Sequence, residues 1–193
     1  MKLKSSWFTI IIATGIVLAF NLPKIISQPV DDTAVKKPAM IRILSYQNTD
    51  DGYAFTYPSS WFRQKGAGYP VSVLFITSAE FSETPASLSV LKIKLDEPPM
   101  SLDAFSDATL RQLKQDSKKL KFITSEPTQW AGQTGYRVVL TSTTADNHPL
   151  QTAQVWTIHG DSVYLISFSG SPESYAKYQA AAEKTMISFQ FLN

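Results

Sequence analysis

LQTAQVWTIHGDSVYLISFSGSPESYAKYQAAAEKTMISFQF, residues 150–191, decides the fold of this chain. Val163 and Leu165 alternate with Tyr164 and Ile166, so the run to Phe168 is apolar on both faces. A strand of that kind is covered on both sides. Gly160-Asp161 supplies a tight turn from the strand before it. Ser171-Pro172-Glu173 is a helix start: a hydroxyl cap, a proline at the first helical position and an acid in the first turn. Tyr175, Tyr178, Ala182, Met186 and Phe189 then recur at helical spacing as one apolar stripe. The stretch therefore reads strand, turn, strand, helix, with the helix lying on the sheet.

Outward from this core the pattern stays mostly β. Ile41–Ser45 reads as an edge strand, and Tyr53–Tyr57 as a second strand ended by Pro58. Ser59-Ser60-Trp61-Phe62 reads as a short helical turn tucking two aromatics under the sheet. Val71–Thr77 is apolar on both faces, residues 78–86 form a polar loop, and Leu88–Leu95 is a strand whose apolar phase shifts after Val90, as at a bulge. Pro98 and Pro99 break the chain. Ser101 caps a helix to about Asp116 that buries Leu102, Phe105, Leu110 and Leu113. Phe122–Ser125 is a short strand, Ala131-Gly132 a turn, Tyr136–Thr143 a strand, and residues 144–149 a hairpin loop. Strands joined by short turns pair antiparallel. The predicted class is α+β, an antiparallel sheet flanked by helices as an α-β-α sandwich.

The N-terminus is of another character. Lys2 and Lys4 precede Trp7–Leu22, which carries no charge, and Lys24 follows. A bilayer span needs about 20 apolar residues, and lysines before the run keep the N-terminus inside. No small-x-small cleavage site stands out. Residues 1–27 thus read as a signal anchor or a signal peptide, with residues 7–26 as the membrane segment. Lysines directly before an uncapped apolar run argue against a buried core helix. Residues 28–39 hold Pro29 and Pro38 and form a linker. The folded domain is residues 40–193.

Composition removes several function classes. Residues 1–38 hold five lysines and two aspartates, and the remainder 13 basic and 14 acidic residues, so the domain is nearly neutral. It offers no general field for nucleic acid. The chain has no cysteine, which excludes disulfides, thiolate metal sites, a cysteine nucleophile and a lipidated N-terminus. There is no P-loop and no dinucleotide glycine pattern. Ser167, Ser169 and Ser171 flank Gly170 only as SFSGS, without a base and an orienting acid. No catalytic residue is assigned and no enzyme is expected. Asp50-Asp51-Gly52 reads as a turn, Trp61, Trp130 and Trp156 as core anchors, and Arg111, Lys114, Lys118, Lys119 and Lys121 as a solvated helix end that complements its dipole. His159 reads as an exposed turn residue. His148 and Asp146 share a loop and form the one candidate metal pair, for weak zinc or calcium at most, because two ligands do not close a shell.

GYAFTYPSSW (residues 52–61) resembles the opening signature of the PsbP-like family, named for an extrinsic subunit of photosystem II. The resemblance continues through LSV (88–90), SLDAF (101–105), TADNHPLQTAQV (144–155) and residues 160–191. It implies an antiparallel sheet between helices, and a non-enzymatic protein on the extracytoplasmic or thylakoid-lumenal side of a membrane. It implies a protein partner, photosystem II with its calcium site or another membrane complex, and attaches an ion-binding expectation to His148. The chain departs from lipidated cyanobacterial relatives in lacking cysteine, and from plant members in its hydrophobic anchor and short linker. An exported PsbP-like domain with an unrelated envelope partner or small ligand is the alternative.

Overall fold

The computed structural model describes residues 41–64, 70–77, 85–96, 100–116, 119–144 and 146–192. The apolar segment at 7–26, the linker at 28–39, Pro98, Pro99, Lys118 and most of the 78–86 loop lie outside them. In chain order the elements are β1 (Ile43–Asn48), β2 (Tyr53–Pro58), β3 (Phe62–Gln64), β4 (Val71–Ile76), β5 (Ser87–Lys94), α1 (Leu102–Asp116), β6 (Lys121–Trp130), β7 (Gln133–Thr143), β8 (Pro149–His159), β9 (Ser162–Gly170), α2 (Pro172–Ile187) and β10 (Gln190–Phe191).

Two antiparallel sheets form, a seven-stranded sheet in the order β3-β4-β5-β9-β8-β7-β6 and a three-stranded sheet in the order β1-β2-β10. β9 is central, and every residue of it is buried. Its Tyr164, Ile166 and Phe168 enter one core with Tyr175, Ala182 and Met186 of α2 and with Tyr53 and Phe55 of β2. Its Val163 and Leu165 enter a second core with Phe105 and Leu113 of α1. The helices therefore cover opposite faces of the large sheet.

The expectation of a single sheet flanked by helices is corrected in one respect: the face under α2 is shared with the small sheet. Seven strands at about 4.8 Å spacing span about 29 Å, nearly three helix widths of about 10 Å. On this face the aromatics of β2 share the cover with α2. Tyr53 stacks on Phe189, with ring centroids 5.1 Å apart, and meets Tyr164 edge-on at 6.3 Å.

Local readings also change. Trp61 and Phe62 do not tuck in together: Trp61 is buried and stacks on Phe168, while Phe62 opens β3 and is 65% exposed. Successive residues of an extended chain point to opposite sides, which separates the pair. The bulge lies in β4, where Ser72 is the extra residue between Val71 and Val73. β5 alternates regularly against β9 and only exchanges which face is apolar. β6 runs over ten residues and contains Pro127, tolerated because β6 is an edge strand. The cap of α2 forms as read: the Ser171 hydroxyl accepts from Ser174 N at 3.2 Å, and Pro172 opens the helix.

Candidate functional site

Backbone hydrogen bonds tie Thr144 to Asn147 and His148. Thr144 N donates to His148 O at 2.9 Å, and Asn147, at φ 62°, donates its N–H to Thr144 O at 3.0 Å. His148 N donates to Thr144 Oγ1 at 3.0 Å. Asp146 and His148 are both exposed. Lys119 Nζ donates to the Asn147 side-chain oxygen at 2.6 Å, which sets a cation beside the proposed ligands. His159 closes the other end of β8, and eleven residues at about 3.3 Å each separate the two histidines by about 36 Å. They cannot share an ion. Among the described residues, no group of three or more histidine, cysteine, aspartate and glutamate side chains converges.

The remaining polar candidates serve the fold. Ser169 Oγ pairs with Thr152 Oγ1 at 2.9 Å, Ser167 Oγ accepts from Gln154 Nε2 at 3.3 Å, and Ser171 caps α2. The His159 ring stacks on Phe191 at 3.9 Å and 8°, with Nδ1 3.3 Å from Gln133 Oε1. At the end of α1, Lys114 lies over the Phe122 ring.

Two arrangements escaped the sequence reading. Asp51, read as a turn residue, anchors the β1–β2 hairpin to the large sheet. Its carboxylate accepts from Asn48 Nδ2 at 2.9 Å and from the Ser72 hydroxyl, and lies 3.5 Å from Lys92 Nζ. Tyr53 OH is 2.6 Å from Ser72 Oγ, and Tyr164 OH donates to Asp51 O at 2.7 Å. Burial raises the Tyr53 pKa far above the usual phenol range, so its hydroxyl stays protonated. The bulge places Ser72 in this network, and nothing local to Asp51 in the sequence marks it.

The second is a cleft of about 220 Å³ between the β6–β7 hairpin and the C-terminal end of α2, lined by Trp130, Arg137, Val155, Glu183 and Met186 among others. Arg137 and Glu183 form an ion pair across it, each about a quarter exposed. Trp130 Nε1 donates to Met186 O at 2.7 Å, which ties its wall to the helix end. Behind it the Tyr175 hydroxyl is buried without a hydrogen-bond partner at ordinary geometry, and its pKa is raised by burial and by the Glu183 charge. The cleft combines an apolar wall with one charged pair and is smaller than the usual ligand pocket of about 300–1,000 Å³; it presents no nucleophile beside a base.

The described residues form a large antiparallel sheet between two helices, backed by a small second sheet. The chain belongs to the PsbP-like protein family, whose pattern it matches over residues 7–191. The fold is similar to that of cyanobacterial PsbP (CyanoP) from Synechocystis sp. PCC 6803, at 19% identity and TM-score 0.58, over 82% of this chain and 97% of that one. It is also similar to LpqN, involved in cell envelope biogenesis of Mycobacterium tuberculosis, at 10% identity and TM-score 0.59, over 80% and 92% of the two chains. A third similar structure is PA94 of Pseudomonas aeruginosa, a putative regulator, at 12% identity and TM-score 0.56, over 76% and 94%. No curated protein sequence matches the chain.

Proposed function

We propose that this protein is a non-enzymatic PsbP-like binding or assembly module, tethered to a membrane by residues 7–26, with its domain of residues 40–193 on the extracytoplasmic or thylakoid-lumenal side. The observation that carries this reading is the family match, which begins at residue 7 and so takes in the uncharged run together with the whole domain. Among the described residues no helix is long and apolar enough to cross a membrane, and the uncharged run lies outside them. The partner in this reading is a photosystem II complex, in line with the likeness to cyanobacterial PsbP. A second reading, an envelope partner, is favoured by the equally close fold of LpqN. Affinity isolation of the tagged full chain from solubilised native membranes tests both. Co-isolation of photosystem II subunits supports the first, and co-isolation of envelope proteins alone supports the second and sinks the first.

Weak zinc binding at Asp146 and His148 belongs to the same reading. The loop offers an imidazole and a carboxylate, zinc takes about four ligands, and water must complete the shell. Calcium, which takes six to eight oxygens, is held more weakly still. Calorimetric titration is expected to give an affinity between about micromolar and millimolar, lost in His148→Ala with folding unchanged. Zinc binding that survives His148→Ala sinks the site.

A further inference from the structure

The ion pair in the cleft between the β6–β7 hairpin and the end of α2 is only partly used. Arg137 Nη2 donates to Glu183 Oε1, and each side chain is 26% exposed. The other guanidinium N–H groups and the second carboxylate oxygen have no protein partner among the described residues. Such groups have given up part of their hydration without gaining a hydrogen bond, so a ligand that pairs with them is stabilised. Glu126 stands directly opposite Arg137 in the β6–β7 register, and its side chain therefore lies on the same face. Two carboxylates beside one guanidinium disfavour an anion. An amide suits the pair, because its N–H can donate to Glu183 while its carbonyl accepts from Arg137.

Trp130, Val155 and Met186 make the apolar part of the cleft, and the bond from Trp130 Nε1 to Met186 O fixes this wall to the helix end. A volume of about 220 Å³ suits one side chain rather than a whole small-molecule ligand. Ile187 also lines the cleft and, at 75%, is the most exposed large hydrophobic side chain of the described surface. A small molecule held inside would leave Ile187 in water, whereas a chain segment crossing the rim would cover it. We propose that this cleft is a socket for one apolar side chain of a protein partner, with a backbone amide of that partner bridging Arg137 and Glu183. That the occupant belongs to a protein rests on the binding-module reading given above.

Capped amino acids probe the socket on the full chain in lipid nanodiscs. The chain has four tryptophans, so 5-fluorotryptophan labelling gives four fluorine resonances, which single Trp→Phe replacements assign. Trp130 reports on the cleft, and Trp156, in the core under α1, is the reference. N-acetyl-leucinamide is expected to shift the Trp130 resonance saturably, to leave that of Trp156 in place, and to bind about tenfold more tightly than N-acetylglycinamide. 3-Methylbutanol carries the same isobutyl group without an amide and is expected to bind about tenfold more weakly than N-acetyl-leucinamide. Arg137→Met combined with Glu183→Leu is expected to abolish this preference for the amide; the comparison on the unaltered chain stands even where that variant does not fold. No saturable Trp130 shift, equal binding of the leucine and glycine probes, or an alcohol that binds as tightly as the amide overturns the socket. Tighter binding of 3-methylbutylamine assigns the cleft to a cation and also overturns it. In affinity isolation from native membranes, Ile187→Glu is expected to lose the partner. Unchanged co-isolation in that variant overturns the cleft as the contact and leaves the module reading standing. Probe binding as expected, with no protein co-isolated by the unaltered chain, keeps the socket and sinks the module reading.

Discussion

Trp156→Ala is expected to lower the unfolding free energy by about 4 kcal/mol, the middle of the range for removing a buried tryptophan. Trp156 is fully buried within β8, in the core beneath α1. Its indole stacks on Tyr136, with centroids 5.4 Å apart at 21°, and meets Phe105 of α1 edge-on at 6.4 Å. Its Nε1–H donates to the buried Ser106 hydroxyl at 2.9 Å, which is the polar tie between helix and sheet. The alanine variant loses apolar area, ring contacts and this hydrogen bond together. Trp156→Phe keeps most of the ring and leaves Ser106 unpaired, and is expected to cost about 1–3 kcal/mol. Urea unfolding followed by circular dichroism measures both through the midpoint, with the slope unchanged. A loss under about 2 kcal/mol for the alanine variant would show that α1 does not seal this face.

What the sequence discloses and what it hides divide along sequence separation. The doubly apolar run of β9 and the Ser171-Pro172-Glu173 start of α2 are local signals, and both elements form there. The buried side of α1 is local too, since Phe105 and Leu113 recur at helical spacing and lie in one core. β10 has no such signal: it has only two residues, and its pairing with Ala54 and Tyr53 comes from the far end of the chain. The bulge at Ser72 depends on the register of β4 against β5, which neither strand specifies alone. The cleft is hidden for the same reason, because Arg137 and Glu183 are 46 residues apart and meet only when α2 folds back over β7. The Asp51 network joins residues from β1, β2, β4, β5 and β9, and an Asp-Gly pair read by itself explains nothing beyond a turn. The loop with Asp146 and His148 was visible because it is contiguous, and contiguity alone does not gather enough ligands for a closed metal shell.

Gly170→Ala is expected to cost about 2 kcal/mol through overpacking, and Ala86→Gly is expected to relieve part of it. Gly170 ends β9, and it is not among the glycines with positive φ. A side chain there meets no backbone strain of its own; what it meets is its neighbours. A Cβ would stand 2.9 Å from Ala86 Cβ, 3.3 Å from Tyr175 N and 3.4 Å from Ala86 Cα. Ala86 cannot easily retreat, because its N–H donates to Thr77 Oγ1 at 3.0 Å and its carbonyl accepts from Thr77 N at 2.9 Å. Tyr175 is equally fixed: its N–H donates to Ser171 O at 2.7 Å, and its ring lies against Phe168 at 5.1 Å. The clash therefore pushes the first turn of α2 off the sheet. Ala86→Gly alone removes a fully buried methyl group and frees the unfolded backbone, for about 1–2 kcal/mol. In the double variant the shortest of the three contacts is gone, so its total cost should fall short of the sum by about 1–2 kcal/mol. Denaturant unfolding of the four proteins closes this cycle. Strict additivity would mean that the Tyr175 amide, and not Ala86, sets the limit on how closely β9 approaches its neighbours at Gly170.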